Sequence, residues 1–188
     1  MTTTSRTRAS ATRAAGTKAA AARDGAAGRT FRTRNDLPER VRVEMIALLN
    51  QHLADITDLY SQTKQAHWNV KGPEFYQLHL LFDQLAEGVE EYIDMIAERA
   101  TALGGEARGT VRMAASASRL AEFPTTLRTG IQHVEELAER YGQVAAAVRE
   151  GIDTADDLGD KDTADLYTEI SRGLDKWLWF LEAHVQGE

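Results

Sequence analysis

The stretch Gly104-Gly105-Glu106-Ala107-Arg108-Gly109-Thr110-Val111-Arg112-Met113-Ala114-Ala115-Ser116-Ala117-Ser118-Arg119-Leu120-Ala121-Glu122-Phe123 decides the fold. It separates two long helical patterns, and a structureless connection of about 20 residues is unusual inside a compact domain. Such a length makes sense when the chain must travel along a bundle before the next helix can start. Gly104-Gly105 is a strong stop for the helix before it. Val111 to Leu120 can hold a short helix of its own.

Four amphipathic segments surround this connection. The first follows Asn35-Asp36-Leu37-Pro38, a cap with a proline suited to a first helical turn. Met45, Leu49, His52, Ile56, Leu59 and Thr63 then recur at helical spacing, and Gly72-Pro73 ends the run. The second segment, from Pro73 to about Leu103, carries Phe75, Leu78, Phe82, Leu85, Val89, Tyr92 and Ile96 on one stripe. The third, after Phe123-Pro124, carries Leu127, Ile131, Val134, Ala138, Tyr141, Ala145, Val148 and Ile152. A break at Asp156–Asp160 leads to the fourth, with Tyr167, Ile170, Leu174, Trp177 and Leu181. Four helices of roughly 25–30 residues, with one long crossover between the second and third, predict an all-α four-helix bundle of ferritin-like topology. No internal repeat is present.

Composition narrows the function classes. The chain has 188 residues, 43% of them hydrophobic, which suits one sizeable core. It contains no cysteine, so disulfides, thiolate nucleophiles and zinc knuckles are excluded, and a reducing compartment fits. No apolar run approaches the length of a membrane span, and no apolar secretory leader opens the chain, so a soluble protein is expected.

The net charge of −7 hides two regions. Residues 1–34 hold eight basic residues and one acid, a net +7, while residues 35–188 hold 14 basic and 28 acidic residues, a net −14. The first region is rich in Ala, Thr and Arg, too poor in large apolar residues to offset its ordering entropy, and is expected to be a disordered basic arm. Its cations are Arg6, Arg8, Arg13, Lys18, Arg23, Arg29, Arg32 and Arg34. A flexible polycation binds phosphate backbones through counterion release, without reading sequence. A solubilising tail and a cleaved transit peptide share this composition. Residues 35–188 form the bundle.

The second helix carries His79, Asp83, Asp94 and Glu98. At about 100° per residue these fall within roughly 100° of one another, while the apolar stripe lies on the other side. The set therefore faces away from the bundle's own core. No Glu-x-x-His occurs in the chain, which excludes an intrachain di-iron site of the inward-facing kind. Asp83 and Asp94 are separated by about 16 Å along one axis, too far to share an ion.

The spacing is palindromic, however, since His79 with Glu98 and Asp83 with Asp94 are both centred between Gly88 and Val89. Two antiparallel copies of this helix about a twofold axis would bring His79 and Asp83 of one to Asp94 and Glu98 of the other, giving two equivalent sites. Imidazole with carboxylates suits Fe(II) and other borderline first-row ions. A solvated acidic face is the alternative, and Glu87, Glu90 and Glu91 fit it or a secondary iron-holding role. His67 and Trp68 near the end of the first helix read as a structural histidine and a packing aromatic when taken singly. His52 reads as a core or interface residue. His133 and His184 have no carboxylate pattern around them.

These residues together resemble the Dps family, the DNA-binding proteins from starved cells. The match comprises His67-Trp68-Asn69-Val70-x-Gly72-x-x-Phe75, Leu78-His79-x-x-Phe82-Asp83 and Asp94-x-x-Ala97-Glu98-Arg99. Leu103-Gly104-Gly105 and Asp175-Lys176-x-Leu178-Trp179-Phe180-Leu181-Glu182 extend it over roughly residues 37–186, leaving the arm outside.

The resemblance implies a homododecameric shell built from C2 dimers. His67, His79 and Asp83 of one subunit, with Asp94 and Glu98 of its mate, would form a ferroxidase centre. Iron (Fe2+/Fe3+) is the implied metal, oxidised preferentially by hydrogen peroxide and mineralised inside the shell. Two irons would deliver two electrons together, taking peroxide to water, and Trp68 would quench stray oxidising equivalents. Asp160, Asp162 and Asp165 are candidates for an acidic pore. The arms would bind DNA without sequence preference, which implies a cytoplasmic, nucleoid-associated protein with no membrane partner. The competing readings are a storage or nucleoid-compacting shell without peroxide chemistry, and a structural oligomer with an inert acidic interface.

Overall fold

A computed structural model describes residues 29–187. It contains α1 (Glu39–Asn69), α2 (Phe75–Ala102), α3 (Val111–Ala117), α4 (Gly130–Asp157) and α5 (Lys161–Glu182). Four long helices surround a core that includes Met45, Leu49, Ile56 and Leu59 of α1 and Leu78, Phe82, Leu85, Val89 and Ile96 of α2. Tyr141, Val144 and Val148 of α4 and Tyr167, Ile170 and Leu174 of α5 complete it. These are the positions at which the helical period places apolar side chains, so the stripes do become the core. α1 pairs with α2, and α4 with α5. Contacts between Thr63 and Tyr141 and between His52 and Gly151 make α1 antiparallel to α4. Arg99–Asp160 and Gly88–Trp177 do the same for α2 and α5.

This arrangement forces residues 103–129 to return along the bundle's length. Polar side chains of α1 hold that crossover. Asn50 donates to the Glu106 carbonyl at 3.0 Å and accepts from the Arg108 N–H at 2.8 Å. Gln51 donates to the Ala117 carbonyl at 2.9 Å, and Asp55 accepts from both the backbone and the guanidinium of Arg119. Ser118 donates to Asp58 at 2.6 Å and Gln62 to the Ala121 carbonyl at 3.0 Å. The buried Arg140 of α4 binds Gln62, Glu136 and the Glu122 carbonyl, closing the far end. Residues 50, 51, 55, 58 and 62 thus form a second stripe on α1, polar rather than apolar, that satisfies backbone groups of a segment with little secondary structure.

Helix boundaries differ from expectation at the starts of α1 and α4. Pro38 stands at the N-cap of α1 rather than inside its first turn, and Asn35 accepts from the Leu37 N–H in a tight turn before it. α4 starts at Gly130, because Thr129 and Gln132 form a reciprocal capping box. Leu127 consequently sits in the irregular connection before the helix instead of on its stripe. α2 and α4 both end in left-handed glycines, Gly104 with φ 86° and Gly159 with φ 82°. The N–H groups of Gly104 and Gly105 donate back to Thr101 and Ala100, and those of Gly159 and Asp160 to Asp156 and Ala155, so both ends are Schellman motifs.

The last residues of the basic arm lie on the first of these turns. The Phe31 N–H donates to the Gly104 carbonyl at 2.7 Å, and Arg42 donates to the Leu103 carbonyl at 3.0 Å. Arg29 stacks over Phe31, while Arg32 and Arg34 are exposed. Arg6, Arg8, Arg13, Lys18 and Arg23 lie outside the described residues. No helix among the described residues is long and apolar enough to cross a membrane.

Candidate metal centre

α1 and α2 form a hairpin whose turn brings His67 against His79. The two imidazoles stack at a centroid distance of 3.8 Å and an interplanar angle of 20°. His67 Nδ1 lies 2.8 Å from the His79 carbonyl oxygen, and His79 Nδ1 lies 2.9 Å from that of His67. A carbonyl only accepts, so each Nδ1 carries the proton and donates. In the neutral ring this leaves Nε2 as a lone-pair donor for a metal, and the reciprocal bonds orient both rings. His67 is buried and His79 half-buried.

Asp83 is one turn beyond His79, and its side chain is 40% exposed. One oxygen lies 3.7 Å from His67 Nδ1 and accepts from Lys64 Nζ at 2.6 Å. The Lys64 hydrogen bond, helped by the adjacent imidazoles and opposed by slight burial, holds the Asp83 carboxyl below the usual carboxylate range. Asp83 therefore stands ionised with an ammonium in contact. Lys64 escaped the sequence reading because a lysine in a long helix looks like a solvated cation. Its place one turn before His67 was the available signal.

Asp94 and Glu98 are both exposed on α2 and do not join this cluster. Among the described residues, no group of three or more His, Asp or Glu side chains is arranged to hold an ion within one chain. The outward direction of the set agrees with the helical-wheel expectation, since the inner face of α2 is taken by Leu78, Phe82, Leu85, Val89 and Ile96. Two stacked imidazoles and an ionised carboxylate thus lie together, and two further carboxylates lie along the same helix.

The other candidates separate clearly. Trp68 is 62% exposed, with Lys64 Nζ 6.0 Å from its ring centroid, so it is not a core packing residue of this chain. Glu87, Glu90 and Glu91 are exposed. His133 is buried and bonds the Thr129 carbonyl, and His184 is exposed and bonds that of Phe180, both within their own helical turns. His52 is a core residue, as its place on the α1 stripe suggested.

Asp160 is the correction. It is 1% exposed, accepts from Arg99 at 2.6 Å, and caps α5 through the Thr163 N–H and hydroxyl at 3.1 and 2.6 Å. A carboxylate so engaged does not line a water-filled passage. Asp162 and Asp165 are exposed.

The Ferritin-like domain family matches residues 46–187. The chain is 46% identical over 158 residues to a DNA protection during starvation protein of Agrobacterium fabrum, covering 84% of this chain and 98% of that one. It superimposes on DpsC from Streptomyces coelicolor with a TM-score of 0.81 at 29% identity, covering 85% and 93% of the two chains. An archaeal Dps homologue from Halobacterium salinarum gives the same TM-score at 28% identity, with 86% and 91% covered.

Proposed function

The chain belongs to the Dps family of ferritin-like proteins, and from that premise we propose that it oxidises and stores iron while protecting DNA. His67, His79 and Asp83 of one subunit, with Asp94 and Glu98 of the twofold-related subunit, hold iron as the substrate. The observation that carries this reading is the stacked, oriented pair His67–His79 beside ionised Asp83, with two further carboxylates displaced along the outer face of α2. Two Fe(II) ions in adjacent positions give up one electron each. One hydrogen peroxide takes both, with two protons, and leaves as two waters. Trp68, exposed beside His67 and Lys64, takes up oxidising equivalents that escape.

A homododecamer of C2 dimers encloses the ferric product, and the acidic body draws cations toward it. The arms, with Arg6, Arg8, Arg13, Lys18, Arg23, Arg29, Arg32 and Arg34, bind DNA multivalently, with avidity above that of any single arm. This places the protein in the cytoplasm with the nucleoid.

Stopped-flow oxidation of Fe(II) added anaerobically and mixed with peroxide tests the reaction, and gel retardation of linear DNA tests the arm. Removing residues 1–28 and substituting Arg29, Arg32 and Arg34 by Ala is expected to abolish retardation while iron oxidation proceeds at the full-length rate. Unchanged retardation refutes the arm's role, and Fe(II) oxidation no faster than in buffer refutes the ferroxidase.

A further inference from the structure

His52 takes no part in the iron reading. It lies on the inner stripe of α1, 2% exposed, where α1, α4 and α5 meet. Its ring meets Tyr167 of α5 edge-on, with centroids 5.0 Å apart and planes at 72°. Gly151 of α4 closes the third side, where a Cβ would come within 2.9 Å of His52 Cε1 and 3.1 Å of Tyr167 Cε2. There is no room for a side chain at position 151, so the three helices close directly on the two rings. His52 Nδ1 and the Tyr167 hydroxyl are both buried without a hydrogen-bond partner among the described residues.

The groups facing this junction are few. Asp55, one turn along α1, is bound to Arg119 of the crossover at 2.6 Å, so each offsets the other's field at the ring. Tyr167 stays neutral, because burial and the field of Asp160 push its phenol far above its ordinary range. Burial, reinforced by Arg119 and opposed by Asp55, holds the His52 imidazole down to about 4 from an ordinary 6.5.

We propose that His52 is an acid trigger for this fold, a neutral imidazole wedged between α1, α4 and α5 whose protonation drives that seam apart. The sign follows from linkage. The folded chain resists the proton that the unfolded chain accepts, so His52 costs no stability from protonation above its ordinary pKa. Between about pH 6.5 and 4 the unfolded chain binds the proton and stability falls. The trigger does not depend on the iron-oxidising reading.

Urea unfolding of the full chain at one protein concentration, repeated between pH 7 and 4, measures proton uptake on unfolding. Wild type is expected to take up about one proton per chain more than His52→Gln or His52→Leu across this window. Its acid unfolding midpoint is expected to lie above theirs. Histidine Cε1–H exchange by mass spectrometry, on wild type alone, is expected to show His52 exchanging far more slowly than exposed His184, with no inflection near 6.5. Equal proton uptake in wild type and both variants overturns the proposal. So does an ordinary His52 titration in the folded protein, which remains measurable if a variant fails to fold.

Discussion

Replacing His79 and Asp83 together by Ala is expected to lower peroxide-dependent Fe(II) oxidation by roughly 100-fold or more, since disturbing groups one step further from a metal already costs 10–100-fold. Both side chains lie on the outer face of α2, away from its apolar stripe, so far-ultraviolet circular dichroism should be unchanged. Asp94→Ala with Glu98→Ala is expected to lose the same activity, although those carboxylates stand about 16 and about 22 Å beyond Asp83 along the same helix. Equal losses from two separated pairs are what a site shared across a twofold axis requires. A centre built inside one subunit would depend on the first pair and tolerate loss of the second. Stopped-flow traces of the two double variants, matched for protein and iron, make the comparison.

The largest effect on stability is expected at Asp160. This one residue terminates the Schellman motif of α4, caps α5 and neutralises Arg99 from the end of α2. Asp160→Ala removes the cap and leaves a guanidinium that is only 15% exposed without its main partner. Breaking a buried pair from one side costs about 3–5 kcal/mol, which for a chain of this length is roughly a 10 °C fall in Tm. Asp162, whose side chain is 84% exposed 3.6 Å from the same guanidinium, supplies the control. Asp162→Ala should fall within about 0.5 kcal/mol of wild type, as exposed pairs usually do. Thermal unfolding of both variants checks this, and equal melting temperatures would remove Asp160 from the helix junction.

Asp160 also marks where sequence reasoning stops. Its charge and its place at a helix start were legible, but its burial depends on Arg99, 61 residues earlier in the chain. The same holds along α1. Leu49, Ile56 and Leu59 announce a core by period alone, because apolar burial needs no particular partner. Asn50, Gln51, Asp55, Asp58 and Gln62 look like a solvated face until the crossover is laid against them. The crossover itself was legible from its length, and its short helix starts at Val111 as expected.

The residues proposed to hold iron divide along the same line. The outward face of His79, Asp83, Asp94 and Glu98 follows from helical geometry, since it concerns one helix only. The stacking of His67 on His79 and the ammonium of Lys64 on Asp83 depend on how α1 returns into α2. No pattern of spacing within either helix specifies those contacts.

Mixing two inactive variants tests the shared site most directly. His79→Ala/Asp83→Ala subunits and Asp94→Ala/Glu98→Ala subunits are dissociated, combined in equal amounts and reassembled. In a mixed dimer one site carries all four substitutions and the other carries none. Random pairing makes half of the dimers mixed, so about one quarter of the wild-type oxidation rate is expected to return. A reassembled mixture no more active than its two components would contradict a centre completed by the neighbouring subunit.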